Sequence, residues 1–293
     1  MQIGLSIYSM AAALRTGELS LTDAVREIAA YGADCIELTS AVIPDLEGVA
    51  EALQAVLEET GLPVASYSMG ENFIGRTPEE YEAALDNVRK HMRIAKQLGA
   101  RAVRSDLVGW KAGFDALAAE CFDADLPLLV ETAGRLADYA AAIDLAFTVE
   151  NHGMYMNGSD RVRRLIKQVN RDNYRCTLDI GNCLCVDEDS VAFTKRLLPL
   201  AEVIHFKDFL VRRATHDPTR SKTGRDNWIP TPGGNFLRGT IIGDGDIDTA
   251  HIMSMIKTSG YDGAVIIEFE GPESCRQAAK QSLENVKRFA ASL

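Results

Sequence analysis

What most constrains this chain is a regular alternation: short β-type runs and longer helical stretches follow one another from end to end. The pattern predicts strands at Gln2–Ile7, Asp34–Leu38, Val64–Tyr67, Ala102–Ser105, Ala146–Glu150, Arg175–Asp179, Glu202–Phe206 and Ala264–Phe269. It predicts helices at Leu21–Tyr31, Leu46–Thr60, Pro78–Leu98, Pro127–Ile143, Asp160–Val169, Val191–Leu200, Thr249–Ser259 and Glu273–Phe289. Eight β-α units of one kind fit a closed parallel barrel, so the expected fold class is α/β, a (β/α)8 TIM barrel, with residues 1–293 as one domain. An open doubly wound sheet would want a glycine-rich phosphate turn after the first strand, and Leu5-Ser6-Ile7-Tyr8-Ser9 offers none. Local signals agree. Thr77-Pro78-Glu79-Glu80 supplies an N-cap, a first-turn proline and two acids, and Gly32, Gly61, Gly99 and Gly260 each follow a helical stretch where a left-handed cap is wanted.

One stretch breaks the rhythm. Leu210 to Asp248 has no clear period and holds His216, Asp217, Pro218, Arg220, Lys222, Arg225, Trp228, Pro230, Pro232, Gly233 and Gly234. It follows the seventh strand, so a long loop over about 210–245 is expected to cover the C-terminal mouth as a lid or a partner-binding segment.

Composition narrows the function. With 31 Lys and Arg against 42 Asp and Glu, the net charge is −11, which argues against a nucleic-acid coat or an anionic membrane surface. No run approaches the ~20 apolar residues of a membrane span. The N-terminal MQIGLSIYSM has no basic segment ahead of a long apolar run, so no signal peptide is expected. The six cysteines, at 35, 121, 176, 183, 185 and 275, form no CxxC pair and read as reduced thiols of a cytoplasmic protein. Cys183 and Cys185 lie near Asp179, but soft thiols match poorly with the hard donors around them.

The chemistry is expected at the C-terminal ends of the strands. There the fifth strand delivers Glu150, the sixth Asp179, the seventh His205 and the eighth Glu268, each emerging from an apolar run. A lone acid at a strand end is usually a cap or an ion-pair partner, and a lone histidine is usually a satisfied half-buried residue. Four on consecutive strands are a different matter, because uncompensated charge there would cost several kcal/mol. Three carboxylates and an imidazole, with no arginine among them, suit one hard or borderline divalent cation: Mn2+ first, with Mg2+, Co2+ or Zn2+ as alternatives.

The segments Val149-Glu150-Asn151-His152-Gly153, Leu178-Asp179-Ile180-Gly181-Asn182, His205-Phe206-Lys207-Asp208 and Ile267-Glu268 resemble the xylose isomerase-like barrel superfamily, in particular its sugar isomerase and 3-epimerase branch. Gly243-Asp244-Gly245-Asp246-Ile247-Asp248 resembles the glycine-rich turn before that family's last helices. The resemblance covers essentially the whole chain. It implies a metal-dependent isomerase or epimerase of a sugar or polyol, in which Glu150 and Glu268 are both ligands and the acid/base pair. One removes a proton beside the carbonyl, the metal steadies the enediolate, and the other returns a proton from the opposite face. His152 is the alternative base. The same superfamily holds inosose dehydratases, hydroxypyruvate isomerases, endonucleases and large subunits of C-glycoside deglycosidases, so a lyase acting on an inosose or a 3-oxo-glycoside is the second reading. Either a homo-oligomer or, for a deglycosidase, a smaller second subunit is then expected.

The chain departs from the epimerase pattern at two places. Asn182 stands where a substrate-binding histidine is expected, and Val211 where an arginine is expected, with Arg212 and Arg213 beside it. Strands two to four end in Glu37-Leu38, Ser66-Tyr67 and Arg104-Ser105-Asp106 with no histidine, which disfavours a three-metal endonuclease. Glu37, Arg104, Asn182, Lys207 and Trp228 are the expected substrate contacts, with Asp106 beside Arg104. Arg104 and Lys207 are equally readable as partners of neighbouring acids, and Asp208 as framework. Tyr8, Phe73 and Trp110 are further aromatic candidates for the pocket wall, although most aromatics simply pack.

Overall fold

The computed structural model describes residues 1–109, 119–213, 215 and 228–292. Trp110 and the 216–225 charges of the irregular stretch fall outside them. Eight parallel strands close into a barrel. In order around it they are β1 (Gln2–Ser6), β2 (Ile36–Thr39), β3 (Val64–Met69), β4 (Ala102–Ser105), β5 (Ala146–Glu150), β6 (Tyr174–Asp179), β7 (Ala201–Phe206) and, returning to pair with β1, β11 (Ala264–Ile267). The predicted β4 and β5 match to the residue. Strands buried on both faces read as continuous apolar runs, and β2, β3, β4 and β11 have no exposed residue.

Side chains alternate along each strand, so each site residue has an inward neighbour two positions earlier. Ala102, Val203 and Ile266 stand in this relation to Arg104, His205 and Glu268, and they belong to a small apolar cluster separate from the main core. Thr148 and Thr177, two before Glu150 and Asp179, share a buried hydrogen bond of 2.7 Å. The site therefore rests on a plug of small side chains that leaves room for charged ones above.

The helices outside include α2 (Leu21–Ala30), α3 (Leu46–Thr60), α4 (Pro78–Gln97), α5 (Ala119–Ala142), α6 (Ser159–Val169), α7 (Ser190–Leu197), α8 (Thr249–Thr258) and α9 (Cys275–Ala291). The predicted N-cap forms at α4, and the structure completes it as a capping box: Thr77 Oγ1 accepts from Glu80 N, and Glu80 accepts from Thr77 N. Two helices differ from expectation. A short α1 (Ala11–Thr16) follows β1, where an alanine-rich run is helical but too brief to show a period. Helix α5 is described from Ala119 onward and runs through Pro127, where the pattern had it begin. Phe122 and Leu126, buried in the core, hold the added turns despite the donor a proline lacks.

The irregular stretch is not all loop. Its described part holds a three-stranded antiparallel sheet of β8 (Asp208–Arg212), β10 (Phe236–Thr240) and β9 (Ile229–Pro230). Two aspartates tie it down. Asp208 accepts from the backbone N–H groups of Phe209, Gly243, Gly245 and Ile247, so the Gly243–Asp248 turn is built on its carboxylate. A Cβ at Gly245 would meet Asp208 Oδ1 at 2.1 Å, which explains the glycine. Asp187 accepts from Thr231 Oγ1, Gly233 N and Asn235 Nδ2. Among the described residues no helix is long and apolar enough to cross a membrane.

Candidate metal and active site

The four residues expected at the strand ends converge. One ligand atom from each of Glu150, Asp179, His205 and Glu268 lies within 4.8 Å of the others. His205 Nδ1 is 3.4 Å from Glu150 and 3.9 Å from Glu268. Asp179 Oδ1 accepts from the backbone N–H groups of Gly181 and Asn182, both at 2.7 Å. Its Oδ2 and His205 Nδ1 are buried without a hydrogen-bond partner. Orphaned buried polar atoms are expensive, and two facing a common centre beside two more carboxylates fit a cation site. The donor set of three carboxylates and one imidazole fits a divalent ion.

Surrounding charges fix the ionisation. Arg104, at the end of β4, pairs with Glu150 and, at 2.5 Å, with Asp106. The cluster thus does have a neutralising arginine: the sequence reading offered Arg104 as a partner of Asp106, and the structure adds Glu150 on the neighbouring strand. Burial alone would push Glu150 up; Arg104 and then His205 outweigh it and hold the carboxylate well below its ordinary range. Lys207 Nζ lies 2.8 Å from Glu268, 3.1 Å from Glu270 and 3.7 Å from Asp179. Glu268 is held below the ordinary range too, its burial outweighed by Lys207 and His205. Asp179 goes the other way. Burial, with Glu150 and Glu268 adding to it against Lys207, pushes its carboxyl up to about 6. In this ion-pair network six carboxylates (Glu37, Asp106, Glu150, Asp179, Glu268, Glu270) face two permanent cations, Arg104 and Lys207, besides His152 and His205. That excess of negative charge also favours a bound cation.

Beneath the cluster, Glu37 Oε2 lies 3.0 Å from His205 Nε2 and accepts from Ser66 Oγ at 2.7 Å. An ionised carboxylate only accepts, so Nε2 carries the proton and Nδ1 faces the cluster. Asn182 bridges the two halves of the site, donating to Glu150 at 3.1 Å and accepting from Lys207 at 3.3 Å. His152 Nδ1 lies 3.0 Å from Asp106, and its imidazole is one bond removed from Arg104. Burial would lower His152, but Asp106 outweighs it and raises the ring above its ordinary value.

Not every expected contact gathers here. Trp228 directly precedes β9 of the small sheet, with the Arg212 and Arg238 guanidiniums 5.7 and 5.2 Å from its ring centre. Phe73 is buried and packs edge-on against Tyr81, so it belongs to the core. Tyr8 does border a cavity beside Glu270. Two contributors escaped the sequence reading. Glu270 carried a signal, since it has the same strand parity as Glu268. The part played by Asn151 did not. Its amide donates to Asp179 O and accepts from Asp179 N, both at 2.9 Å, clamping the backbone of a ligand on the next strand. A cavity of 1120 Å3 is lined by Arg175, Glu202 and Gly263, at or just before the N-terminal ends of their strands, and shares no residue with the cluster. That end of such a barrel carries stability rather than catalysis.

A closed barrel thus carries at its C-terminal mouth a four-residue carboxylate–histidine cluster that could hold a divalent ion. Residues 25–290 match the model of the xylose isomerase-like TIM barrel family, and the chain belongs to that family. The inosose dehydratase of Lacticaseibacillus casei is 28% identical over 137 residues, which are 46% of this chain and 44% of that protein. The chain therefore aligns with less than half the length of the curated relatives it matches. Among solved structures, D-psicose 3-epimerase with D-tagatose from Clostridium cellulolyticum H10 superposes with a TM-score of 0.73 at 15% identity, covering 99% of both chains. A xylose isomerase-like TIM barrel protein from Mycobacterium smegmatis in complex with magnesium superposes with a TM-score of 0.69 at 20% identity, covering 93% of this chain and 89% of that one. At such identities the likeness is one of fold.

Proposed function

We propose that this protein is a divalent-metal-dependent isomerase or epimerase of a sugar or polyol that works by removing a proton beside a carbonyl. The observation that carries the reading is the convergence of Glu150 and Glu268, two carboxylates from different strands, on the atoms of one cation site. Glu150, Asp179, His205 and Glu268 hold the ion, Mn2+ in preference to Mg2+, Co2+ or Zn2+. A bound ion supplies Lewis acidity toward a substrate carbonyl and so acidifies the neighbouring C–H.

The chain's own groups divide the remaining work. Glu150 and Glu268 act as base and acid, and each has a dedicated cation: Arg104 for the first, Lys207 for the second. Those pairings favour the ionised form of each, so one carboxylate is ready to take the substrate proton, while the other must first take up a proton from solvent in order to return it from the opposite face. The pairings also hold the carboxylate oxygens in place, which is where an acid/base residue gains its rate. Glu37 keeps the Nδ1 of His205 turned to the ion. Asn182 ties Glu150 to the Lys207 side, and His152, held by Asp106, is the second candidate base.

A lyase is the second reading, favoured by the inosose dehydratase relative. Dehydration begins with the same proton abstraction and then expels a hydroxyl β to the carbonyl. One experiment tests both. The Mn2+-loaded enzyme is incubated in D2O with ketoses and inososes, and NMR follows deuterium entry and products. An epimer or aldose carrying deuterium supports the first reading, an unsaturated product the second. Glu150→Gln and Glu268→Gln, with metal binding measured separately, are expected to slow exchange at least about a hundredfold. Normal exchange in both, with loss in His152→Ala, would move the base to His152.

A further inference from the structure

Three buried asparagines follow the ends of β5 and β6: Asn151, Asn157 and Asn182. The first and last have roles above, and Asn157 has none. Its side chain lies between two loops. Nδ2 donates to Gly153 O, in the loop after β5, and to Asn182 O, in the turn after β6, both at 2.8 Å. Oδ1 accepts from Gly158 N at 2.8 Å, which fixes the way the amide faces. The β5 loop that it fastens is closed on itself, with His152 N donating to Met156 O at 2.8 Å. Asn157 thus joins the two loops while hydrogen-bonding to none of the four cluster residues.

What it holds is the residue that connects the two halves of the site. The backbone N–H of Asn182 donates to Asp179 Oδ1 at 2.7 Å, and its side chain spans Glu150 at 3.1 Å and Lys207 at 3.3 Å. Those two contacts stand at the long end of the hydrogen-bond range, so a shift of about half an ångström breaks one of them. On one side the turn has no room to move: a Cβ at Gly181 would lie 2.9 Å from Lys207 O and 3.0 Å from Lys207 Cβ. On the other side stands Asn157. A neutral amide suits that post. It donates to two carbonyls, which an ionised carboxylate cannot do, and adds no charge beside the acids of the cluster.

We infer that Asn157 is a positioning residue: it sets the place of Asn182, and through Asn182 the spacing between Glu150 and the Lys207–Glu268 pair. The inference rests on the proton-abstraction reading for the use of that spacing, and it names the residue that enforces it.

In the Mn2+-loaded full chain, Asn157→Ala is expected to slow deuterium exchange by about tenfold or more through kcat, with KM little changed, since small misplacements of reacting groups are costly. Asn157→Ser, with one donor for two carbonyls, should fall between Asn157→Ala and the parent. Calorimetric Mn2+ affinity should change by less than about threefold, because Asn157 makes no hydrogen bond to a ligand side chain. The double variant with Asn182→Ala should be as slow as Asn182→Ala alone, the non-additivity of one residue acting through another. Amide hydrogen exchange of the metal-free chain reads the geometry without turnover. The Gly181 and Asn182 N–H groups, sheltered by Asp179 Oδ1, should exchange at least about tenfold faster in Asn157→Ala, with β2 and β11 unchanged. An unchanged kcat, losses that multiply in the double variant, or unaltered amide exchange at Gly181 and Asn182 overturns the inference. Faster amide exchange there, in a parent that exchanges no proton of any carbonyl sugar, upholds the placement of Asn182 and sinks the proposed chemistry alone.

Discussion

Replacing Glu37 by glutamine tests the architecture of the metal site without touching a ligand. Glu37 is fully buried, as is His205, and their contact of 3.0 Å is a charge-assisted hydrogen bond. Hydrogen bonds to buried charged groups contribute about 1.5–3 kcal/mol, equivalent to roughly ten- to a hundred-and-fifty-fold in an equilibrium constant. Removal of an outer partner of a metal-bound histidine costs a similar ten- to hundredfold in affinity. The structure gives a reason to expect the lower half of the range. Ser66 Oγ donates at 2.7 Å to the same oxygen that meets His205, so a glutamine carbonyl held there by Ser66 still accepts from Nε2, and what is lost is the carboxylate's charge. The expected outcome is a roughly 10- to 30-fold weaker Mn2+ affinity by calorimetric titration. Circular dichroism melts of the metal-free chains control for folding, and saturating Mn2+ should raise the parent's midpoint, since an ion at 100 times its dissociation constant adds about 2.7 kcal/mol. Affinity within twofold of the parent, with an unchanged metal-free melt, would refute the claim that the charge of Glu37 supports His205 as a ligand.

Asp208→Ala strips the acceptor from four backbone N–H groups, those of Phe209, Gly243, Gly245 and Ile247, and is expected to destabilise by about 3 kcal/mol or more in denaturant titrations. His91 supplies a pH dependence far from any ligand. Its Nδ1 meets the Tyr67 hydroxyl at 2.8 Å, and burial, aided by the charge of Lys90, lowers it below its ordinary 6.5. An imidazole depressed in the fold binds protons less readily there than in the unfolded chain, so its contribution is complete above pH 6.5 and is lost as pH falls through the folded value. Melting midpoints should therefore decline below that pH in the parent, and His91→Gln should lower the neutral plateau slightly while flattening that part of the decline.

How much of this was legible in the sequence follows from what each feature depends on. The barrel was readable because strand and helix periods are local, and β4, β5 and α3 were placed to the residue. The convergence of Glu150, Asp179, His205 and Glu268 was readable because closure of a parallel barrel sends every strand end to one mouth, so knowing the strands suffices. The small sheet was not: Ile229–Pro230 is a two-residue strand with both residues exposed, and no period can be seen in two residues. Nor were the pairings. Glu37 and His205 are 168 residues apart and Arg104 and Glu150 lie on neighbouring strands, so these contacts depend on register. Register decides which inward side chains share a layer, and nothing in a single strand's composition encodes it. Glu37 shows the consequence. At the end of a strand it has the same sequence appearance as Glu150, yet β2 pairs with β1 and β3, so its carboxylate arrives beneath His205 instead of beside it. What separates a ligand from the residue that orients one is therefore height in the barrel, a quantity set by the shear between strands and visible only once all eight are closed.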